Sequence, residues 1–161
     1  MAEESNWERD REKGEKGEKE FYGYLKRRYP NKNIKWLQKA HEADFMIDDD
    51  KVELKTDFTE HSNFFIEYFS NIDTRRMGGP YQASEYNARY FIYWFVDKRN
   101  PYQWCCFRFK TKELLEWLNI NKNCYPTKRK LNKGFVTLGH IIPIETLSKQ
   151  SFCTIKKIEV K

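Results

Sequence analysis

Asp44, Glu53 and Lys55 are the residues of this 161-residue chain whose types and spacing point most directly to chemistry. They sit in two short apolar segments, Ala43-Asp44-Phe45-Met46-Ile47 and Val52-Glu53-Leu54-Lys55, joined through the acidic turn Asp48-Asp49-Asp50. Strand side chains alternate between faces, so Ala43, Phe45 and Ile47 point one way and Asp44 the other. Val52 and Leu54 likewise oppose Glu53 and Lys55. Opposed residues of an antiparallel pair share a face. A hairpin that buries Phe45, Ile47, Val52 and Leu54 therefore gathers two carboxylates and an ammonium on its other side. That set suits a hard cation, because Mg²⁺ takes one or two carboxylates and completes its shell with water and phosphate oxygens. The backbone carbonyl of Leu54 lies between the two charged positions and offers another oxygen. An ion held by Asp44 and Glu53 polarises a phosphodiester and acidifies a bound water. Lys55 then orients that water or stabilises charge developing on the phosphate. The same alternation also describes any half-exposed strand, with Glu53 and Lys55 as a surface ion pair.

A helix is expected from Gly14 to Tyr29, because Glu18, Phe21, Tyr22, Leu25 and Tyr29 recur at spacings of three and four. Glu18 stands on that apolar stripe. An ionised carboxylate there is costly unless paired or bound to a cation, so either the helix delivers Glu18 to the acidic cluster or the residue is solvated at the helix N-terminus.

The other elements must hold the hairpin in place. Pro30 ends the first helix, and Ile34–Gln38 reads as a short strand. Ala43–Ile47, Lys51–Thr56 and Phe64–Phe69 are further strand candidates. Arg75-Arg76-Met77-Gly78-Gly79-Pro80 reads as a flexible basic loop, and Gln82–Asn87 as one or two turns of helix. Arg89–Val96 and Tyr102–Phe109 pattern as neighbouring strands. Thr111 is placed to cap a helix running to about Leu118. Residues 121–134 read as a Lys/Arg-rich loop, and strands near Phe135–Leu138 and Phe152–Val160 complete the sheet. This order points to α/β or α+β with one central sheet. The expected organisation is a single domain over 14–161, with a core over 14–110 and a basic extension over 111–161, after a flexible segment over 1–13.

Composition narrows the classes. From Lys98 onward there are 14 Lys/Arg against 4 Asp/Glu, whereas the first 97 residues are net acidic. A basic third beside a more acidic part suits a protein that meets phosphate in one region and holds cations in another. Lys39, Arg75, Arg76, Lys128, Arg129 and Lys130 are the candidate phosphate contacts. The longest apolar run, around Phe91–Val96, is far short of the ~20 residues that span a bilayer. The charged N-terminal residues do not resemble a secretory signal, so no membrane partner and a cytoplasmic location are expected. The four cysteines lack metal-ligand spacing, and adjacent Cys105 and Cys106 point to opposite faces of a strand.

Lys13-Gly14 followed by Glu18 and Leu25, then Asp44, then Glu53-Leu54-Lys55, resembles the PD-(D/E)XK nuclease superfamily, especially small archaeal Holliday-junction resolvases and related phage or viral endonucleases. The similarity covers roughly residues 13–70, and Ala43 stands where the motif's proline would be. The resemblance implies a restriction-endonuclease-like α/β core with a central mixed sheet flanked by helices. It implies that Asp44 and Glu53 ligate Mg²⁺ or Mn²⁺, that Lys55 assists the attacking water, and that Glu18 supports the site. Asn63 and Glu67 look like residues that follow the ExK strand in phage-type members, and His61 is a further accessory candidate. The implied substrate is DNA rather than RNA, branched or foreign, cut by an endonuclease; resolvases of this kind act as homodimers. A non-catalytic nucleic-acid-binding module on the same fold is the alternative.

Overall fold

The computed structural model describes residues 2–103, 105–132 and 134–158, with side chains from residue 11 onward. In chain order the elements are α1 (Ala2–Arg28), β1 (Ile34–Trp36), β2 (Phe45–Ile47), β3 (Asp50–Asp57), β4 (Asn63–Asn71), β5 (Arg76–Met77), α2 (Gly79–Glu85), β6 (Tyr90–Phe95), β7 (Cys105–Lys110), α3 (Thr111–Asn121), β8 (Thr127–Asn132), β9 (Phe135–Pro143), α4 (Ile144–Ser148) and β10 (Cys153–Lys157). The fold is α/β. A six-stranded mixed sheet runs β1-β2-β3-β6-β7-β10, and a four-stranded antiparallel sheet runs β5-β4-β9-β8.

The expected hairpin is present. Phe45 opposes Val52 and Ile47 opposes Asp50, so the turn narrows to Asp48-Asp49. Asp48 takes φ 52°, a left-handed conformation that Asp tolerates better than most residues. Val52, Leu54 and Phe45 join Phe21, Tyr24, Leu25, Ile92 and Trp94 in one buried cluster beneath α1. Phe21 is its centre, with ring centroids 5.6–5.8 Å from Tyr24, Phe45 and Trp94. Ala43 departs from the expected parity. It precedes β2 and is buried in the second cluster, with Phe64, Phe91, Tyr93 and Phe95 on the other side of the sheet.

Several expectations need correction. The chain forms two sheets, because β4 leaves the main sheet to pair with β9 rather than with β3. The segment read as a basic loop contains β5, which pairs with β4, and α2 begins at Gly79. The segment read as a Lys/Arg-rich loop contains a 3₁₀ turn, Lys122–Cys124, and then β8. Helix α1 begins at Ala2, well before Gly14. Charge pairs at helical spacing, such as Arg11 with Glu15 at 3.6 Å, help a polar segment stay helical. Lys110 rather than Thr111 is the N-cap of α3; the Thr111 hydroxyl is buried with no hydrogen-bond partner among the described residues. Cys105 and Cys106 do pack on opposite faces, and all four cysteines are free thiols. Trp94 is fully buried in the core; Trp104 and Val160 lie outside the described residues. Among the described residues no helix is long and apolar enough to cross a membrane.

Two glycines of α1 show how closely the helix approaches the site strand. A Cβ on Gly17 would meet Thr56 Oγ1 at 2.7 Å and Cγ2 at 2.8 Å, whereas one on Gly14 would meet nothing within 4 Å. Thr56 is β-branched and stiff at χ1, so it yields poorly. Gly17→Val is expected to destabilise by about 1–3 kcal/mol through overpacking. Gly14→Ala should instead stabilise by up to about 1 kcal/mol through helix propensity. Urea unfolding of the two variants measures both effects.

Candidate active site

Strand β3 places Glu53, Lys55 and Asp57 on the face opposite Val52 and Leu54. Its parallel neighbour β6 sets Phe91, Tyr93 and Phe95 beside them in register. The charged residues therefore do not look onto open solvent, as a half-exposed hairpin would suggest. Lys55 and Asp57 line a polar cleft of about 410 Å³ where this face leaves the apolar core, and Glu53 is half-buried on the same face. Lys13, Gly14 and Glu18 of α1 form one side of the cleft, residues 54–59 its floor, and Glu67, Lys130, Asn132 and Thr137 of the second sheet the other side.

Asp44 lies one residue before β2, and its Oδ2 accepts a hydrogen bond from the Leu54 backbone N–H at 2.8 Å. In an antiparallel pairing the N–H and C=O of one residue point to the same neighbour. The Leu54 carbonyl therefore also points toward Asp44, beyond the last β2–β3 pair at Phe45 and Val52. Glu18 accepts a hydrogen bond from Trp36 Nε1 at 3.4 Å and shares another with Asp44. Asp44 in turn shares one with Glu53. Of the two settings open to Glu18, the structure places it in the acidic cluster.

Three carboxyl groups in contact cannot all carry full charge in a partly buried site. Burial, followed by the hydrogen bond and charge of Asp44, pushes the Glu18 carboxyl up to about 8. Asp44 rises to about 7 through burial and the charge of Glu53. Glu53 also rises to about 7 through burial, against a hydrogen bond from Asp44 that favours its ionised form. Raised values of this kind favour sharing protons within the cluster over three full negative charges. Glu53 Oε2 is buried and has no hydrogen-bond partner among the described residues. Among those residues no group of three or more His, Cys, Asp or Glu side chains forms a ready-made metal cage. A Mg²⁺ site does not require one, since water and substrate oxygens supply most of its ligands. The donors at hand are two carboxylates and a carbonyl, all hard oxygens. They fit such an ion.

Lys55 does not point freely at the acids. Its ammonium lies 3.0 Å from Glu67 Oε1, with 31% and 19% of the two side chains exposed. Glu67 is therefore the partner that fixes Lys55, and not an outward strand residue. The Gly78-Gly79 link packs against Glu67, where a Cβ on Gly78 would meet Glu67 Oε2 at 2.6 Å. Lys130 lines the same cleft with its ammonium 4.1 Å from the centre of the Phe65 ring. Burial and the nearby Lys55 charge lower its pKa.

The remaining candidates separate by position. Lys128 shares the face of Lys130 on β8, while Arg129 points the other way; both are exposed. Lys39 lines an adjoining depression with Glu15, Glu18, Trp36 and Asp44. Arg75 and Arg76 are exposed near β5, and Asn63 is exposed at the start of β4. His61 is exposed as well, and its carbonyl accepts a hydrogen bond from Asn100 Nδ2. None of these last four lines either cleft. Asp57, whose pair Thr56-Asp57 also resembles phage-type members, is a residue to which the sequence assigns no role. Its carboxylate is buried and accepts hydrogen bonds from Thr59 N–H and Oγ1 at 2.8 and 2.6 Å, and from the Tyr93 hydroxyl. Its parity with Glu53 and Lys55 was the available signal.

No protein-family model matches the chain, and no curated protein or solved structure matches it significantly.

The raised carboxyl values have a direct consequence for stability. An acid whose folded pKa exceeds its unfolded value binds protons more tightly when folded. Stability is then highest below the unfolded value, about 4, and falls as pH rises toward 7–8. Without divalent metal, the thermal midpoint is expected to fall between pH 5 and pH 8, and Glu18→Gln should flatten that slope. Added Mg²⁺ should stabilise most at the alkaline end, where it no longer competes with protons. Thermal melts across this range, with and without Mg²⁺, check both points.

Proposed function

We propose that this protein is a divalent-metal-dependent nuclease of the PD-(D/E)XK kind, with a restriction-endonuclease-like core. It would cut DNA phosphodiester bonds internally, in branched or foreign substrates. The observation that supports the reading is that Glu18, Asp44 and Glu53 lie close enough to raise one another's pKa, with Glu18 lining a cleft that also holds Lys55 and Lys130. Acids held this close favour either a shared proton or a cation between them, and a phosphodiester with a metal ion would supply the cation and occupy the cleft.

Asp44, Glu53 and the Leu54 carbonyl would hold Mg²⁺ or Mn²⁺, with Glu18 steadying Asp44 from α1. When bound there, such an ion would supply Lewis-acid polarisation of the phosphate and acidify the attacking water. Lys55, restrained by Glu67, would donate hydrogen bonds to a phosphate oxygen or orient the attacking water, and so meet the charge that grows on phosphorus. Lys130 would neutralise a phosphate from the opposite wall. The basic surface of β8 would add sequence-independent contacts to the backbone.

The test is a cleavage panel of linear, nicked, flapped and four-way-junction DNA with Mg²⁺, Mn²⁺ and chelator. Metal-dependent cleavage is expected, and Asp44→Asn, Glu53→Gln and Lys55→Ala should each reduce it by about 10²-fold or more. Glu67→Gln should cost less, because it loosens Lys55 without removing it. Cleavage that persists in both Asp44→Asn and Lys55→Ala would remove this site from the mechanism. Binding to DNA with no cleavage in any divalent metal would instead favour a binding module.

A further inference from the structure

A second pocket lies on the α1 face of the six-stranded sheet, away from the acidic cluster. Six strands at ~4.8 Å spacing span about 24 Å, and a helix ~10 Å across cannot cover them all. Helix α1 seals the region over β2, β3 and β6 with Phe21 and Leu25. Beyond it, Ile92, Cys106 and Arg108 remain at the floor of a cavity of about 230 Å³, with Tyr24, Tyr29, Tyr90 and Lys156 among its walls. The pocket shares no lining residue with the clefts beside Glu18, so the two sites are distinct.

The lining combines aromatic rings with the cations Lys32, Arg108 and Lys156. Arg108 lies 4.7 Å from the centre of the Tyr90 ring, and Lys156 Nζ donates a hydrogen bond to the Tyr29 hydroxyl at 2.7 Å. Neither forms a salt bridge among the described residues. Lys32 stands at the same pocket, 3.9 Å from the exposed Asp48 carboxylate. The acid in the lining, Asp50, is occupied by Arg89 at 3.1 and 3.2 Å. Two half-exposed positive groups without salt bridges among the described residues thus face a part-apolar cavity whose acid is already paired, a setting that an anionic ligand would complement.

We infer that this pocket binds a nucleotide, with the base against the tyrosine rings and the phosphate between Arg108 and Lys156. Aromatic walls accept any base by stacking. A guanidinium beside a ring offers both a planar surface and a fork that fits phosphate. A purely apolar anion would leave the Tyr29 and Tyr90 edges unused, and a bare inorganic anion would leave the aromatic volume empty. The nucleotide can be free or an unpaired residue of a strand; the chemistry recognised is the same. This assignment does not rest on the nuclease reading, because it uses none of the acidic cluster.

Calorimetric titration of the full chain with AMP, adenosine and ribose 5-phosphate tests it. Saturable binding of AMP is expected, with adenosine and ribose 5-phosphate each weaker by about tenfold or more, or ~1.4 kcal/mol. Arg108→Ala and Lys156→Ala should each weaken AMP by a similar factor without shifting the thermal midpoint. Lys55→Ala should bind AMP as the parent does. Arg108→Lys keeps the charge but loses the planar stack, so it should fall between the parent and Arg108→Ala. If a short single-stranded oligonucleotide displaces AMP, the natural source is a strand; if it does not, the source is a free nucleotide. No saturation up to about 10 mM AMP, equal binding of ribose 5-phosphate, or unchanged binding in both alanine variants would overturn the proposal.

Discussion

Strands β3 and β6 run parallel and side by side, so the chain leaving β3 has to cross one face of the sheet before it can enter β6. That crossover consists of β4, β5 and α2. It covers the face that carries Glu53, Lys55 and Asp57, and β4 then recruits β9 and β8 into a second sheet. The cleft, its Glu67 wall and its Lys130 wall all follow from this one pairing. Had β3 and β6 been antiparallel, a short loop could have joined them and left Glu53 and Lys55 on an open surface.

The covered face mixes core and polar positions along the same strands. Its β6 half is apolar and packs against Phe64, Ile66 and Ile142. Its β3 half is charged, and each charge there meets a different answer. Lys55 is paired with Glu67. Asp57 accepts three hydrogen bonds, one of them from a tyrosine whose own oxygen accepts from the Phe65 N–H at 3.1 Å. Glu53 is held near Asp44, whose proximity perturbs its pKa, and has a buried oxygen with no hydrogen-bond partner among the described residues. A satisfied network rigidifies its surroundings, whereas an incomplete one marks a place where a further partner fits. The difference separates the supporting residues of the cleft from its acidic centre.

Helix α1 joins these features because it serves two purposes along one length. Its middle brings Glu18 to Asp44, at a point where Gly17 permits near-contact with Thr56. Its following turns bury Phe21 and Leu25 against β2, β3 and β6. Past these turns the helix leaves a tyrosine-lined pocket that reaches from β3 and β6 to β7 and β10.

The hairpin and its parity were legible in the sequence because a period of two is a local property of the backbone. Val52, Leu54 and Phe45 went to one side, and Glu53 and Lys55 to the other, as alternation requires. Glu18 was legible as an anomaly, a carboxylate on an apolar stripe, although local pattern could not choose between its two settings. Ala43 was misplaced because β2 begins only at Phe45, and the alternation rule does not hold before a strand starts. The partner of Lys55, the cleft position of Lys130, the burial of Asp57 and the division into two sheets were not legible. Each depends on contacts between residues far apart in the chain, and strand pairing across such distances leaves no periodic trace. The sequence by itself determined which side chains share a face, because that is set by backbone geometry over a few residues. Only the tertiary structure decided what each face meets, because the parallel pairing of β3 with β6 sends the chain across one side of the sheet and not the other.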